Sequence, residues 1–320
     1  MAEETGSGPL DGYVLTTADE PMETVTFHPD GRRLAVTTGY YWTQLWDIHT
    51  RETVGELLID HGGMRAMAFQ PDGRLLATAG VVIRLWDSDT QQETGVPLEG
   101  YTGEVKTMAF RPDGSLLASA GSEATVRLWD PVRRCPVGEA LTGHDKPVWT
   151  MAFHPDGRLL ASGGEDCTVR LWDTEARRPV GAPLATRQDW VFSVAFHPGG
   201  HLFATGGQDG TVRMWDTQTR SPIGDPLIGH KGSVFSLAFH PDGRLLATAG
   251  DDGTVRLWDA HTRQPFGDPY NAHNNPTVYA DGTPRIWGNT LYTVAFNRDG
   301  SMMASCDHSG NVRVRPTPSA

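Results

Sequence analysis

The chain has 320 residues, a net charge of −12 and no run of basic residues, so a nucleic-acid backbone is not an expected partner. Its three cysteines, Cys135, Cys167 and Cys306, form no CxxC pair, which favours a reducing, cytoplasmic compartment and argues against structural zinc. No stretch approaches the roughly 18 apolar residues of a membrane span, and residues 1–8 lack the features of a signal peptide. Arginine outnumbers lysine by 24 to three, a bias that suggests a bacterial source with a GC-rich genome.

The first predicted element is a strand within residues 8–17. Its sequence, GPLDGYVLTT, resembles the outer-strand pattern at residues 224–227. A final third strand is predicted at residues 311–315, and no fourth strand follows it in the sequence. We therefore expect residues 8–17 to complete the last unit of the fold. This assignment leaves residues 1–7 as a flexible tail, 8–316 as one domain and 317–320 as a C-terminal tail.

Two short motifs then recur at a nearly constant interval. Trp-Asp begins at Trp46, Trp86, Trp129, Trp172, Trp215 and Trp258, in steps of 40 and then 43 residues. Phe-x-Pro-Asp-Gly begins at Phe27, Phe69, Phe110, Phe153 and Phe239, with variants at Phe196 and Phe296. Such a period is typical of repeat architectures, in which each unit has an apolar face that only its neighbours cover. Seven units fill nearly the whole chain, which predicts a single repeat-built domain.

The clearest unit, residues 143–184, predicts four short antiparallel strands. These strands are expected at residues 148–153, 158–163, 168–173 and 179–184. The turn after the first strand reads His-Pro-Asp-Gly, in which proline presets φ and glycine permits positive φ. The two prolines of the last segment suit an exposed edge strand. Four such strands make one blade of a propeller.

These units resemble WD40 repeats over residues 9–315. The resemblance implies an all-β, seven-bladed β-propeller, closed by the N-terminal strand in the last blade. It also implies a buried hydrogen-bonded set of His, Ser or Thr, Asp and Trp within a blade. By position, these sets are His144, Ser162, Asp166 and Trp172 in repeat 4, and His230, Thr248, Asp252 and Trp258 in repeat 6. Their recurrence, and the lack of a GxSxG motif, favour a structural role over a catalytic triad.

One position varies strongly among the repeats: the fourth residue before the motif phenylalanine. It holds Glu23, Arg65, Lys106, Trp149, Phe192, Phe235 and Tyr292 in repeats 1 to 7. In WD40 proteins this place faces the top mouth of the central channel, so we predict charged residues on one arc of the mouth and aromatic residues on the other. Aromatic residues and arginine dominate binding hot spots, and an aromatic wall can receive a cation. The alternative, that the rings pack between blades, is compatible with binding.

Two departures from the repeat fall on the same predicted face. Repeat 7 carries an insertion at residues 274–290, and repeat 1 has a row of aromatic residues in place of a tight turn. The residues singled out there are Tyr279, Arg285 and Trp287 in the insertion, and Tyr40, Tyr41 and Trp42 in the turn. The insertion is expected either to cover these aromatics or to wall a cleft with them. Tyr101 and Trp190 are expected to extend the same face.

Two classes of function follow. The favoured one is a non-enzymatic scaffold, a monomer that binds a protein or peptide at the top face and channel mouth, with no nucleic-acid or membrane partner. The alternative is a small-molecule or enzymatic site formed by the 274–290 loop and the 40–42 turn. Its candidate acid and base groups are Asp281, His273 and Glu23. Since neither a P-loop nor GxGxxG is present, and the turn histidines lie in separate repeats, no catalytic residue, cofactor or metal is assigned.

Overall fold

The computed structural model describes residues 12–16, 24–38, 42–58, 66–271, 290–308 and 310–318. In these ranges the regular structure consists of short β-strands in seven small antiparallel sheets. No helix within them is long and apolar enough to cross a membrane. The architecture is the predicted all-β, seven-bladed propeller.

The strands are numbered in chain order, starting with β1 (Tyr13–Thr16), which precedes the first blade. Blade 1 contains β2 (Val25–Phe27), β3 (Arg33–Thr38), β4 (Trp42–Asp47) and β5 (Glu52–Leu58). Blade 2 contains β6 (Ala66–Phe69), β7 (Leu75–Ala79) and β8 (Ile83–Asp87). Blade 3 contains β9 (Val105–Phe110), β10 (Leu117–Gly121), β11 (Val126–Asp130) and β12 (Cys135–Pro136).

Blades 4 to 7 follow in the same order. Blade 4 contains β13 (Val148–Phe153), β14 (Leu159–Gly164), β15 (Thr168–Asp173), β16 (Arg178–Pro179) and β17 (Leu184–Ala185). Blade 5 contains β18 (Val191–Phe196), β19 (Leu202–Gly207), β20 (Thr211–Asp216) and β21 (Leu227–Ile228). Blade 6 contains β22 (Val234–Phe239), β23 (Leu245–Gly250), β24 (Thr254–Asp259) and β25 (Tyr270–Asn271). Blade 7 contains β26 (Leu291–Phe296), β27 (Met302–Asp307) and β28 (Asn311–Pro316).

The first three predicted strands of repeat 4 agree with β13, β14 and β15 to within one residue at each end. The fourth was predicted as one continuous strand over 179–184, and this is wrong. Instead, β16 and β17 each pair separately with β15. The chain bends away between them because Gly181 has a φ of 70°, in the left-handed region.

The N-terminal strand closes the ring, as predicted. β1 pairs antiparallel with β28, in a register that runs from Tyr13 opposite Val314 to Thr16 opposite Asn311. Leu15 is 2% exposed and lies in the same apolar cluster as Val312 of β28. The last blade is therefore built from both ends of the described chain.

Adjacent blades are joined through apolar side chains and through the Phe-His-Pro turns. In blade 4, His154 donates from Nε2 to the carbonyl oxygen of Gly200 in blade 5, at 3.0 Å. Its Nδ1 lies 3.2 Å from the backbone nitrogen of Asp156 and 2.7 Å from Oδ1 of the same residue. The same inter-blade bond joins His28 to Gly73, His197 to Gly243 and His240 to Gly300. Each turn histidine thus holds its own junction, and among the described residues no three His, Cys, Asp or Glu side chains form a possible metal site.

Candidate functional site

The fourth residue before the motif phenylalanine, the variable position of the repeats, lies at a β-bulge of the inner strand in blades 3 to 7. In blade 4, Val148 lies opposite Gly164 and Thr150 lies opposite Gly163, so Trp149 is an extra residue without a direct partner. The register shifts in the same way at the equivalent position of β9, β18, β22 and β26. A bulge redirects the side chain of its extra residue, so these residues leave the face they would occupy in a regular strand.

In blades 3 to 6 a glycine lies opposite the residue before the bulge, whereas blade 7 has Asp307 there. A Cβ atom on Gly164 would lie 2.3 Å from the carbonyl oxygen of Pro147, and one on Gly121 would lie 2.0 Å from that of Glu104. The same constraint applies to Gly207 and Gly250. This repeated glycine is a sequence signal for the bulge that hydrophobic patterning does not supply.

The bulges bring four rings into contact across four blades. The ring centroids of Trp149 and Phe192 lie 5.9 Å apart, those of Phe192 and Phe235 5.0 Å, and those of Phe235 and Tyr292 5.6 Å. All four side chains are partly buried, and each contact joins neighbouring inner strands. We call Trp149, Phe192, Phe235 and Tyr292 the aromatic arc. The rings therefore pack between blades, and each keeps part of its surface open to solvent, while their role in binding stays a prediction.

A cation already lies on one end of the aromatic arc. The Lys106 ammonium is 4.0 Å from the Trp149 ring centroid and 2.9 Å from Oε2 of Glu104. The indole N–H of Trp149 donates to Oε1 of Glu165 at 2.9 Å, which fixes the orientation of the ring. The face of this tryptophan is thus placed and electrostatically suited to hold a positive charge.

At the other end of the aromatic arc, the Tyr292 hydroxyl lies 3.1 Å from Nδ1 of His308. Burial lowers the pKa of His308, so the imidazole is neutral at pH 7 and its Nδ1 can accept a hydrogen bond from the tyrosine hydroxyl. The arc therefore runs from a charged end at Lys106 to a neutral end at His308.

Seven of the predicted site residues lie outside the described residues. They are Glu23, Arg65, Tyr40, Tyr41, Tyr279, Arg285 and Trp287. The same is true of the candidate acid and base groups Asp281 and His273. Consequently most of the predicted charged arc of the mouth, and the alternative site at the 274–290 loop, remain predictions. Trp42, at the start of β4, is 42% exposed.

Of the two extra aromatics expected on this face, one joins the aromatic arc and the other does not. Trp190 is 37% exposed, and its ring centroid lies 6.0 Å from that of Phe192. Tyr101 instead contacts Trp129 of its own blade, with ring centroids 6.4 Å apart. Its hydroxyl reaches into blade 3, 2.8 Å from Oγ of Ser119, which accepts the indole N–H of Trp129 at 2.7 Å. Burial raises the pKa of Tyr101, so the hydroxyl keeps its proton and acts as a donor.

Tyr101 therefore takes the place that histidine occupies in the complete hydrogen-bonded sets, and a glutamine does the same in blade 5. Gln188 accepts a hydrogen bond from the Thr205 hydroxyl at 2.5 Å, and Thr205 accepts the indole N–H of Trp215 at 3.0 Å. The 43-residue period does not predict Gln188, because this residue lies one position after the place that matches His144 and His230.

The two complete sets form as the resemblance implied. In blade 4, the imidazole of His144 bonds Oδ2 of Asp166 and Oγ of Ser162, both at 2.7 Å, and Trp172 donates to Ser162 at 2.8 Å. The equivalent bonds join His230, Asp252, Thr248 and Trp258 in blade 6. Ser162 is 0% exposed, so its hydroxyl is not accessible to a substrate. The set acts as a buried structural network.

Electrostatics within this network favour the ionised aspartate. Burial alone would raise the pKa of Asp166, but hydrogen bonds from His144 and Thr168 outweigh it and hold the pKa at about 2. In blade 6, the pKa of Asp252 is likewise lowered, with burial opposed by the bonds from His230 and from the Lys231 backbone.

Open clefts are found elsewhere on the described surface. One, of about 500 Å³, lies between blades 5 and 6 and is lined by His197, His201, Arg244 and Arg263 among others. Another, of about 410 Å³, lies between blades 3 and 4 beside Trp172 and Arg177. Neither is lined by a residue of the aromatic arc.

Comparison with known proteins agrees with this architecture. Five segments match the family model of the WD40 repeat (WD domain, G-beta repeat): residues 92–130, 135–173, 181–216, 221–259 and 286–315. A stretch of 73 residues is 33% identical to Pre-mRNA-processing factor 19 of Oryza sativa subsp. japonica, covering 22% of this chain and 14% of that protein. The chain thus aligns with only a small part of this relative. The repeat matches, in contrast, cover more than half of the chain, and the chain belongs to the WD40 family.

Proposed function

We propose that this protein is a non-enzymatic scaffold that binds an extended protein or peptide segment at the mouth of its central channel, on the aromatic arc. The observation that carries the proposal is the continuity of the four rings across blades 4 to 7. Partly exposed aromatic side chains held by bulges in a rigid sheet provide a large contact area at a low cost in conformational entropy. We take the protein to act as a cytoplasmic monomer.

The chemistry of the arc indicates what the bound segment carries. Lys106 shows that the Trp149 ring face accepts an ammonium group, with Glu104 and Glu165 close by to balance the charge. A ligand with a basic side chain next to an apolar one would compete with Lys106 for this face and contact Phe192 beyond it. The name of the matched relative adds no partner to this proposal, since the match covers 14% of that protein.

The proposal is tested with peptides selected from a random displayed library on the wild-type protein. Their affinity is then measured for a Trp149→Ala/Phe235→Ala double variant. We expect binding at least about tenfold weaker, because truncating a hot-spot aromatic commonly costs about 2 kcal/mol or more.

The matched control is Ile228→Ala, which removes an exposed apolar side chain from the outer strand of blade 5. Thermal unfolding confirms that each variant is folded. Selected peptides that bind the double variant as tightly as the control would show that the aromatic arc is not the binding surface.

A further inference from the structure

The outermost strand of blade 1 differs from those of the other blades. β5 runs without interruption over seven residues, Glu52–Leu58. The outermost strands of blades 3, 5 and 6 are two residues long, and that of blade 4 is divided into two such pieces. In blade 7 the outer strand, β1, has four residues. Among the described residues, the rim of the propeller thus has one long, continuous strand edge, with a bulge at Val54.

The difference originates at a single repeated glycine. In the other six blades this glycine has φ between 61° and 74°, which breaks the outer strand; the residues are Gly12, Gly95, Gly138, Gly181, Gly224 and Gly267. The equivalent Gly55 is not in the left-handed region. Leu57 lies opposite Thr43, the ladder position that Leu98 and Leu227 hold opposite Ile83 and Val212, and all three leucines are buried. Blade 1 has one residue fewer between the glycine and this leucine. This shorter segment leaves the outer strand of blade 1 extended, without the bend that the other blades make at their glycine.

The edge of β5 is open to solvent along most of its length. Glu52, Thr53, Val54 and Glu56 are all exposed, Val54 by 44%. The Val54 carbonyl accepts a bond from Nε2 of Gln91 in blade 2, at 3.0 Å. In the described sheet of blade 1, β5 is the terminal strand, so its outward backbone groups have no neighbouring strand.

The repeat itself shows which backbone group points outward. Thr53 lies opposite Trp46, and the equivalent residue opposite the motif tryptophan is a proline in four blades: Pro136, Pro179, Pro222 and Pro265. Because proline has no N–H, the pairing with tryptophan does not use this donor. The N–H of Thr53 therefore faces the rim, where an added strand can accept it.

We propose that β5 is a docking site for an extended, basic segment of a partner protein, which adds to blade 1 as a further strand. Exposed strand edges template such pairing, and the other blades protect theirs with prolines and bends. The charges of β5 determine the chemistry of the partner. The bulge at Val54 places Glu52 and Glu56 three ladder steps apart and on opposite faces, since they lie opposite Asp47 and Gln44. A matching segment has basic residues three positions apart.

The same charges argue against a second copy of this chain as the occupant. Antiparallel pairing of two β5 strands would bring Glu52 and Glu56 of both copies, four carboxylates in all, onto one joined edge. Like charges opposite each other destabilise a strand pair, whereas a basic segment is attracted at both positions. The rim site is separate from the aromatic arc and does not depend on it.

The probe is a labelled nine-residue peptide of threonine and valine with two lysines three positions apart. A comparison peptide has glutamates in place of the two lysines. Fluorescence anisotropy with the full chain should show the lysine peptide binding about tenfold tighter, since two cross-strand charge pairs change sign between the peptides. Glu52→Lys/Glu56→Lys should reverse the preference. The matched control, Glu139→Lys/Asp225→Lys, makes the same charge change at exposed rim positions of blades 3 and 5 and should not.

Thr53→Pro tests the backbone contribution. It installs the residue that four other blades carry at this place, so thermal stability should be retained while binding of the lysine peptide falls about tenfold. Absence of lysine-peptide binding, an unchanged preference in the Glu52→Lys/Glu56→Lys variant, or full binding by folded Thr53→Pro would each overturn the proposal. Sedimentation showing self-association that Thr53→Pro abolishes would also overturn it, in favour of a second copy.

Discussion

Blades 4 and 7 have the same strand order but are held together by different interactions. Blade 4 comes from one continuous stretch of chain, and its centre is the network of Trp172, Ser162, His144 and Asp166. Blade 7 takes its outer strand from residues 13–16 and has Arg315 at the tryptophan position. This arginine is 4% exposed, and its guanidinium lies 4.7 Å from the ring centroid of Tyr270 in blade 6.

The contacts of blade 7 extend into both neighbouring blades. On the blade 1 side, the Tyr13 hydroxyl donates to the Ile48 carbonyl, and the Arg51 guanidinium lies 4.3 Å from the Tyr13 ring centroid. Blade 4 is therefore stabilised mainly by contacts between residues near in sequence, and blade 7 by contacts between the two ends of the chain. Closure of the ring thus gives blade 7, which has an arginine in place of the motif tryptophan, contacts with both neighbouring blades.

The largest expected effect is the loss of this closure. Deleting residues 1–17 removes β1, and with it the buried Leu15 and four pairs of the ladder with β28. We expect a destabilisation greater than the about 2–5 kcal/mol of a single leucine truncation, measured by urea unfolding. Deleting residues 1–11, which leaves β1, is the control. Equal stability of both deletions would mean that closure does not stabilise the ring.

The network in blade 4 is tested by Ser162→Ala. This change leaves the buried indole N–H of Trp172 and Nε2 of His144 without their shared partner. We expect a loss of about 2–6 kcal/mol in the free energy of unfolding, because each of the two unsatisfied buried groups costs about 1–3 kcal/mol. Ser115→Ala, the same change in an exposed turn, should cost little. Similar values for the two variants would remove the basis for calling the network structural.

A fall in pH is expected to have a smaller effect on the free energy of unfolding. The pKa of Asp166 is about 2 in the folded protein against an ordinary value of 3.8. Its contribution to stability is therefore complete above about pH 4 and is lost as the pH falls towards 2. Asp166→Asn should weaken the pH dependence of stability in this window. The control Asp225→Asn, at an exposed position, should have the same pH dependence of stability as the wild type. An identical acid-unfolding profile for Asp166→Asn would contradict the assigned pKa.

Much of the architecture was predictable from spacing alone. The Trp-Asp and Phe-x-Pro-Asp-Gly motifs locate the strands and turns, because each blade is a local unit with its own hydrogen-bond ladder. The outer strand at residues 179–184 was mispredicted because its conformation depends on the left-handed φ of Gly181, which hydrophobic patterning does not report. The hydrogen bond of Tyr101 was missed for a related reason: an aromatic side chain in a polar loop gave no indication that its hydroxyl bonds Ser119 inside the blade.

The sequence by itself determined the number of blades, the two complete networks and the strand that closes the ring, since these follow from periodicity and from residue types at matched positions. Only the tertiary structure decided that Trp149, Phe192, Phe235 and Tyr292 form one continuous surface, because their contacts join residues at least about 40 positions apart. It also decided which outer strand stays continuous, because that depends on the backbone conformation at the repeated glycine, which is left-handed at Gly181 but not at Gly55. Side-chain contacts between blades are properties of the assembled ring, and no single repeat contains them.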